Sequence, residues 1–181
     1  MAKGWQKRSL VSLCAALILS AAAVCQAEME IHQIKVAYLY QISKFVFWPE
    51  QTKAAENFKV CQLGPDRYGG SLKNMNGRTV FSRPVIIEFI GSLDQAQSCH
   101  LLILSDPEEI KPQALKEWLA SHPVLTVVDG EHNWGVGMVA FVLEKQRVRL
   151  HINLNLAQHS GLSFAANLLE VASFIHGTGK E

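Results

Sequence analysis

The chain has 181 residues, 49% of them hydrophobic, with 17 basic and 16 acidic side chains for a formal charge of +1. A charge so close to balance gives no electrostatic case for nucleic acid as a partner. The hydrophobic content excludes an intrinsically disordered chain and is enough for one well-packed domain.

The first stretch reads as an export signal rather than as fold. Lys3, Lys7 and Arg8 form a basic start, Leu10 to Val24 is an uncharged apolar run, and Cys25-Gln26-Ala27 fits a small-x-small cleavage site, with Glu28 as the first mature residue. The run is about 15 residues against the roughly 20 that span a bilayer, which favours cleavage over anchoring. Lipidation at Cys25 is a weaker reading, because the bulky Val24 precedes it. Removing Lys3, Lys7 and Arg8 leaves 14 basic against 16 acidic residues, a mature charge of −2. No later stretch is long and apolar enough to cross a membrane, so the mature protein is expected to be exported and not membrane-spanning.

Ile31 to Trp48 reads as the first helix. Ile34, Tyr38, Ile42 and Phe45 follow helical spacing, and Pro49 ends it. It carries too many Tyr, Phe and Trp side chains for one wet face. Packing against a sheet explains most of them; contact with a partner is the sharper alternative, since aromatic residues are enriched at interfaces. Phe58–Leu63 follows as a strand. Gly64–Asn76 is a turn around a short helix, whose glycine spacing matches neither a dinucleotide fingerprint nor a phosphate loop. Arg78–Phe89 reads as one strand in which Pro84 marks an edge or a bulge. Gly91–Gln97 is a short helical connection.

The run Cys99–Ser105 is apolar without alternation, which suits a strand buried on both faces of a mostly parallel sheet. Asp106-Pro107 stops it, Glu108 to His122 reads as a helix, and Val124–Val128 is the next buried strand. This alternation predicts an α/β fold: a single-domain three-layer sandwich with helices on both faces and Leu101–Leu104 near the middle of its sheet. The loop beginning Asp129-Gly130 holds Glu131, His132 and Trp134. No second histidine sits at ligand spacing and nothing supplies a nucleophile, so neither a metal nor a catalytic site is expected there. Val136–Leu143 and Arg147–Asn153 pair as an antiparallel hairpin. In its second strand Val148, Leu150, Ile152 and Leu154 point one way; Arg147, Arg149, His151 and Asn153 point the other. That face could meet an acidic partner or a small anion, although a plainly solvated face explains it too. Asn155–Ser160 is a short helix, Ser163 sits where an N-cap would, and Ala165 to Ile175 has helical spacing.

After cleavage, Cys61 and Cys99 remain as an even pair in an oxidising compartment. Cys61 lies in the first predicted strand and Cys99 opens a later one. If those strands are neighbours, a disulfide is geometrically reasonable; two separate buried thiols are the alternative.

Three motifs occur together: K-V-A-Y-L-Y-Q-I-S-K-F-V-F-W-P at 35–49, the G-x-G-led hairpin at 135–152, and I-N-L-N-L-A-Q-H-S-G-L-S-F-A-A-N-L-L at 152–169. In these the chain resembles the YfiR family of exported bacterial proteins over nearly its whole mature length. The resemblance implies a signal peptide at 1–27 and one YfiR-like domain at 28–181. It also implies a non-enzymatic periplasmic repressor, without cofactor, that binds the periplasmic part of an inner-membrane diguanylate cyclase and lowers cyclic di-GMP, hence biofilm. It further implies sequestration by an OmpA-like outer-membrane lipoprotein, and Cys61 and Cys99 look like the family's long-range pair. A second cysteine pair that some members carry in the C-terminal third is missing here. A homodimer is left open. The candidates for partner contact are the exposed members of Tyr38, Tyr40, Phe47 and Trp48, with Arg147, Arg149 and His151 as a polar second patch. The competing reading is a periplasmic small-ligand sensor acting on a different receptor and using the sheet's carboxyl edge, where Gly64, Ser105 and Asp129 would lie.

Overall fold

A computed structural model describes residues 29–130 and 136–177. The expected signal peptide, with Cys14 and Cys25, and Glu131, His132 and Trp134 of the polar loop lie outside the described residues. In chain order the elements are helix α1 (29–42), β1 (Val46–Phe47), α2 (Glu50–Lys53), β2 (Phe58–Leu63), β3 (Thr79–Val80), β4 (Arg83–Ile90), β5 (Leu101–Leu104), α3 (Pro112–Leu119), β6 (Leu125–Asp129), β7 (Val139–Glu144), β8 (Arg147–Asn153), α4 (Leu154–His159), β9 (Ser163–Phe164), α5 (Ala166–Glu170) and β10 (Phe174–His176). Short 3₁₀ turns at Ser71–Met75, Leu93–Ser98 and Pro107–Glu109 fill the connections.

One mixed sheet runs β10-β8-β7-β6-β5-β2-β4-β3, and β1 pairs β9 in a separate two-stranded ribbon. The expected strand neighbours are found: β5 lies between β2 and β6, parallel to both. All four residues of β5 and the first four of β6 are buried, which is why neither run alternates. Each such Leu, Ile or Val contributes about 1.5–3 kcal/mol relative to exposure, so the centre of the sheet is also the centre of the core. Cys61 on β2 and Cys99, just before β5, are joined by a disulfide across 38 residues, with their Cα atoms 6.0 Å apart. That spacing lies inside the ordinary range for a bridge. Two residues before β7, a Cβ on Gly137 would lie 2.8 Å from Val128 Cγ2, so the backbone approaches β6 as only glycine allows.

Six expectations need correction. The first helix stops at Ile42, not Trp48. Ser43 Oγ donates to the Leu39 carbonyl at 2.8 Å and the Phe45 amide to that of Ile42 at 2.9 Å, which tightens the last turn. Val46 and Phe47 then pair with Phe164 and Ser163, where β-branched and aromatic side chains fit well. The buried stripe is accordingly Val36, Leu39, Ile42 and Val46, while Ile34 is exposed.

The stretch expected as one strand at Arg78–Phe89 is a hairpin. Phe81 and Ser82, with φ of 50° and 63°, form its two-residue turn. The helix expected at Glu108–His122 begins only at Pro112, because a residue before proline is pushed to extended backbone, as Lys111 is with ψ of 117°. Ser163 is no N-cap; it pairs in β9, and α5 starts after the extended Ala165. Finally, Phe174–His176 leaves the expected helix at Ala165–Ile175 to pair parallel with β8, so β8 is not the rim of the sheet. Leu154 also leaves the alternation of β8 to begin α4, whose first turn is capped by Asn153 Oδ1 accepting from the Leu156 amide at 3.0 Å.

Candidate functional site

The β1 ribbon and the β3–β4 turn enclose a groove of about 510 Å³, lined among others by Val46, Phe47, Trp48, Glu56, Phe81 and Arg83. Alternation along β1 sets its walls: Val46 is buried, Phe47 is 61% exposed, and Trp48 beyond the strand is 6% exposed. The Trp48 ring stands edge-on to Phe58 at 5.4 Å and to Phe81 at 6.1 Å. Its Nε1 is buried with no hydrogen-bond partner among the described residues. Phe81 closes the other side at 53% exposure. Its backbone lies at positive φ, where Asn or Gly is the ordinary choice in such a turn.

Beneath the groove sits a polar cluster. Arg83 Nη1 donates to the Thr52 carbonyl at 3.0 Å, and its guanidinium lies 5.5 Å from the Phe58 ring. His100 stacks on Phe58 at 4.7 Å. Its Nδ1 accepts from the Lys59 amide at 3.1 Å, which leaves Nε2 to carry the proton and face the Thr52 carbonyl at 3.2 Å. Arg83 Nη1 lies 3.0 Å from that same Nε2. Burial holds the His100 pKa below the usual value. The Arg83 and Lys59 charges push the same way, and the Thr52 carbonyl opposes them. Burial also lowers the Arg83 pKa. Both His100 nitrogens are engaged with the protein, so the ring braces α2 and β4 against β2.

The other expected residues fall elsewhere. Tyr38 is half-buried with its ring 6.2 Å from Phe141 on β7, whereas Tyr40 Oη donates to the Thr79 carbonyl on β3 at 3.1 Å. Residues two apart cannot share a helix face, and these two separate accordingly. Lys44 and Arg78 both lie over the Tyr40 ring. On β8, Arg149 and His151 converge on Glu144, at 3.9 and 3.5 Å, and Arg147 pairs in register with that same residue. Glu144 thus offsets one of the two arginine charges on that face, and His151 packs against Phe174.

At the sheet's carboxyl edge most polar groups are engaged with one another, while Gln62 Oε1 and Tyr68 Oη are buried without a hydrogen-bond partner among the described residues. Gln62 Nε2 donates to the Pro65 carbonyl and Ser105 Oγ, Lys35 Nζ pairs with Asp129 at 2.5 Å, and Arg67 pairs with Asp106. Burial pushes the Tyr68 hydroxyl far up, and the nearby Asp129 charge adds to this. Among the described residues no group of three or more His, Cys, Asp or Glu could hold a metal ion. Arg83, Phe81 and His100 were not singled out from the sequence. Phe81 and Arg83 lay inside what read as an ordinary strand, and His100 inside an apolar run.

The chain thus combines a buried mixed sheet, a disulfide and an open aromatic groove. The description of the YfiR/HmsC-like family matches residues 32–173, and the chain belongs to that family. Membership points to a periplasmic regulator of cyclic di-GMP signalling. No helix among the described residues is long and apolar enough to cross a membrane.

Proposed function

We propose that this protein is a non-enzymatic periplasmic regulator that binds and represses an inner-membrane diguanylate cyclase through the cyclase's periplasmic part, and so lowers cyclic di-GMP. The observation that carries the reading is membership of the YfiR/HmsC-like family across most of the chain. The binding surface supports it: exposed Phe47 and Phe81 beside a groove are what a protein interface uses, a few aromatic anchors with a polar rim. The reading includes a cleaved signal peptide at 1–27, a single three-layer domain at 28–181 with helices on both faces of the sheet, and release from the cyclase by an OmpA-like lipoprotein. Of the residues expected to meet the partner, Phe47 is the best placed. Tyr40, with Lys44 and Arg78, comes second, and Arg147, Arg149 and His151 form an outlying polar patch.

Deleting the gene tests this. Cyclic di-GMP should rise, the exported protein should restore it, and protein lacking residues 1–27 should not. An unchanged level, in a strain whose membrane diguanylate cyclase is present and active, would contradict the reading.

A further inference from the structure

A second pocket lies where α3, α4 and the ends of β8 and β10 meet. It holds about 330 Å³, within the roughly 300–1,000 Å³ of small-ligand sites, and is lined by Lys116, Asn153, Asn155, Leu156, His159 and His176. Small-ligand sites are mostly apolar; here Leu156 is the one apolar side chain among the six. Lys116 is a cation, both histidines become cations as pH falls, and no carboxylate lines the pocket among the described residues. Lys116 forms no ion pair with any of them. Asn153 supplies a fixed donor. It is 9% exposed, and its Oδ1 is occupied in capping α4, accepting from the Leu156 amide at 3.0 Å. That bond settles which end of the amide is which, so Nδ2 is the end left to the pocket, and it has no hydrogen-bond partner among the described residues. A buried amide donor without an acceptor is unfavourable, and an acceptor arriving in the pocket would complete it. His159 Nε2 lies 3.1 Å from the Lys116 carbonyl and carries the proton there, which leaves Nδ1 to take a second one. The ring also ties α4 to the turn of α3 that bears Lys116. On the opposite wall Gly177, at a φ of 96°, passes so close over the Asn155 amide that a Cβ would collide with it.

We propose that this pocket binds a small solute bearing an oxyanion, a phosphate or a carboxylate: the Lys116 ammonium and the Asn153 Nδ2 amide hold the oxyanion, and His159 and His176 add charge as the medium acidifies. Donors without a competing carboxylate are what an oxyanion needs, and hydrogen bonds to a charged acceptor are the stronger kind. A donor as deep as Asn153 suits a free solute, which buries most of its surface, rather than a side chain carried in on a protein backbone. The charged groups on the elements around α4 leave the pocket its positive sign. Glu117, the other charged side chain of α3, accepts from Gln113 Nε2 at 2.8 Å. The strand β9 carries no charged residue, and on β8 Arg149 and His151 face Glu144. The site goes beyond the regulator reading and uses neither the aromatic groove nor a protein partner.

The test is NMR titration of the purified mature protein with inorganic phosphate, with citrate and with glycerol as a neutral control. Phosphate or citrate should shift the His159 and His176 ring signals saturably, and glycerol should not; the tighter of the two anions tells a phosphate site from a carboxylate site. Asn153→Asp keeps the α4 cap, since Asp caps as well as Asn, but replaces the amide donor by a carboxylate. It should therefore hold its Tm and lose anion binding at least tenfold. Lys116→Met, on an exposed position of α3, should lose a similar factor. Sulfate keeps its charge between about pH 8 and about pH 6, where an imidazole gains its own; its affinity should rise at least threefold over that interval, and less in His159→Gln. Shifts that do not saturate, equal effects of glycerol, or native affinity in Asn153→Asp or Lys116→Met would overturn the proposal. Tight uptake of zinc ion by the two histidines with no response to either anion would also overturn it, by assigning the pocket to a metal.

Discussion

His100 is the residue whose chemistry is most tightly bound to its surroundings. It is held between the Lys59 amide and the Thr52 carbonyl, stacked on Phe58, with Arg83 Nη1 3.0 Å away. A proton added at Nδ1 would oppose the Lys59 amide and place a second charge beside Arg83. The fold therefore favours the neutral ring and lowers its pKa, whereas in the unfolded chain it titrates near 6.5. The sign follows from linkage: the unfolded state binds the proton more readily, so this contribution to stability is full above about pH 6.5 and is lost as pH falls below it. Chemical denaturation from pH 7.5 to pH 5 should show falling stability. His100→Asn should be less stable at pH 7.5 by about 1–3 kcal/mol, through the hydrogen bonds it loses, and should show a flatter slope across that interval. An unchanged slope would mean that another group governs it.

At the scale of elements, the disulfide fixes β2 to the turn that leads into β5, two strands that are already parallel neighbours. Its stabilisation comes chiefly from restricting the unfolded chain. For a closed loop of 38 residues this is worth roughly 3–4 kcal/mol in the chain-entropy view. Replacing both Cys61 and Cys99 by Ala should lower the denaturation midpoint accordingly. Non-reducing peptide mapping that finds both thiols free would contradict the pairing.

The same scale shows what the sequence could convey. The central strands were readable because burial on both faces leaves a plain apolar run, as in Leu101–Leu104. The hairpin at 139–153 was readable because its second strand alternates a wet face with a dry one, although the first four residues of β7 are buried on both faces. The β1–β9 ribbon was not, because two-residue strands carry no period: Phe45, Val46 and Phe47 extend the apolar pattern of α1 seamlessly. The turn at Phe81-Ser82 was hidden by the absence of Asn or Gly, and β10 by Leu168, Leu169 and Ala172, which keep helical spacing up to its threshold. The groove depends on all these misread junctions, so Phe47 was named among the candidates, while Phe81 and Arg83, which meet it only in three dimensions, were not.

The whole molecule is a mixed sheet with an aromatic groove beside the β3 edge and a basic face on the β7–β8 hairpin. A protein of this kind controls a membrane enzyme only if it binds one conformational state of that enzyme more tightly than the other; about 1.4 kcal/mol of preference shifts the balance tenfold. The most direct measurement is therefore the rate of cyclic di-GMP synthesis by the full-length membrane diguanylate cyclase of the same cell reconstituted in liposomes, with the mature protein supplied on the periplasmic side. The rate should fall saturably as the protein is added, and Phe81→Asn should need at least tenfold more protein for the same effect. A rate that stays constant at saturating protein would contradict repression by direct binding.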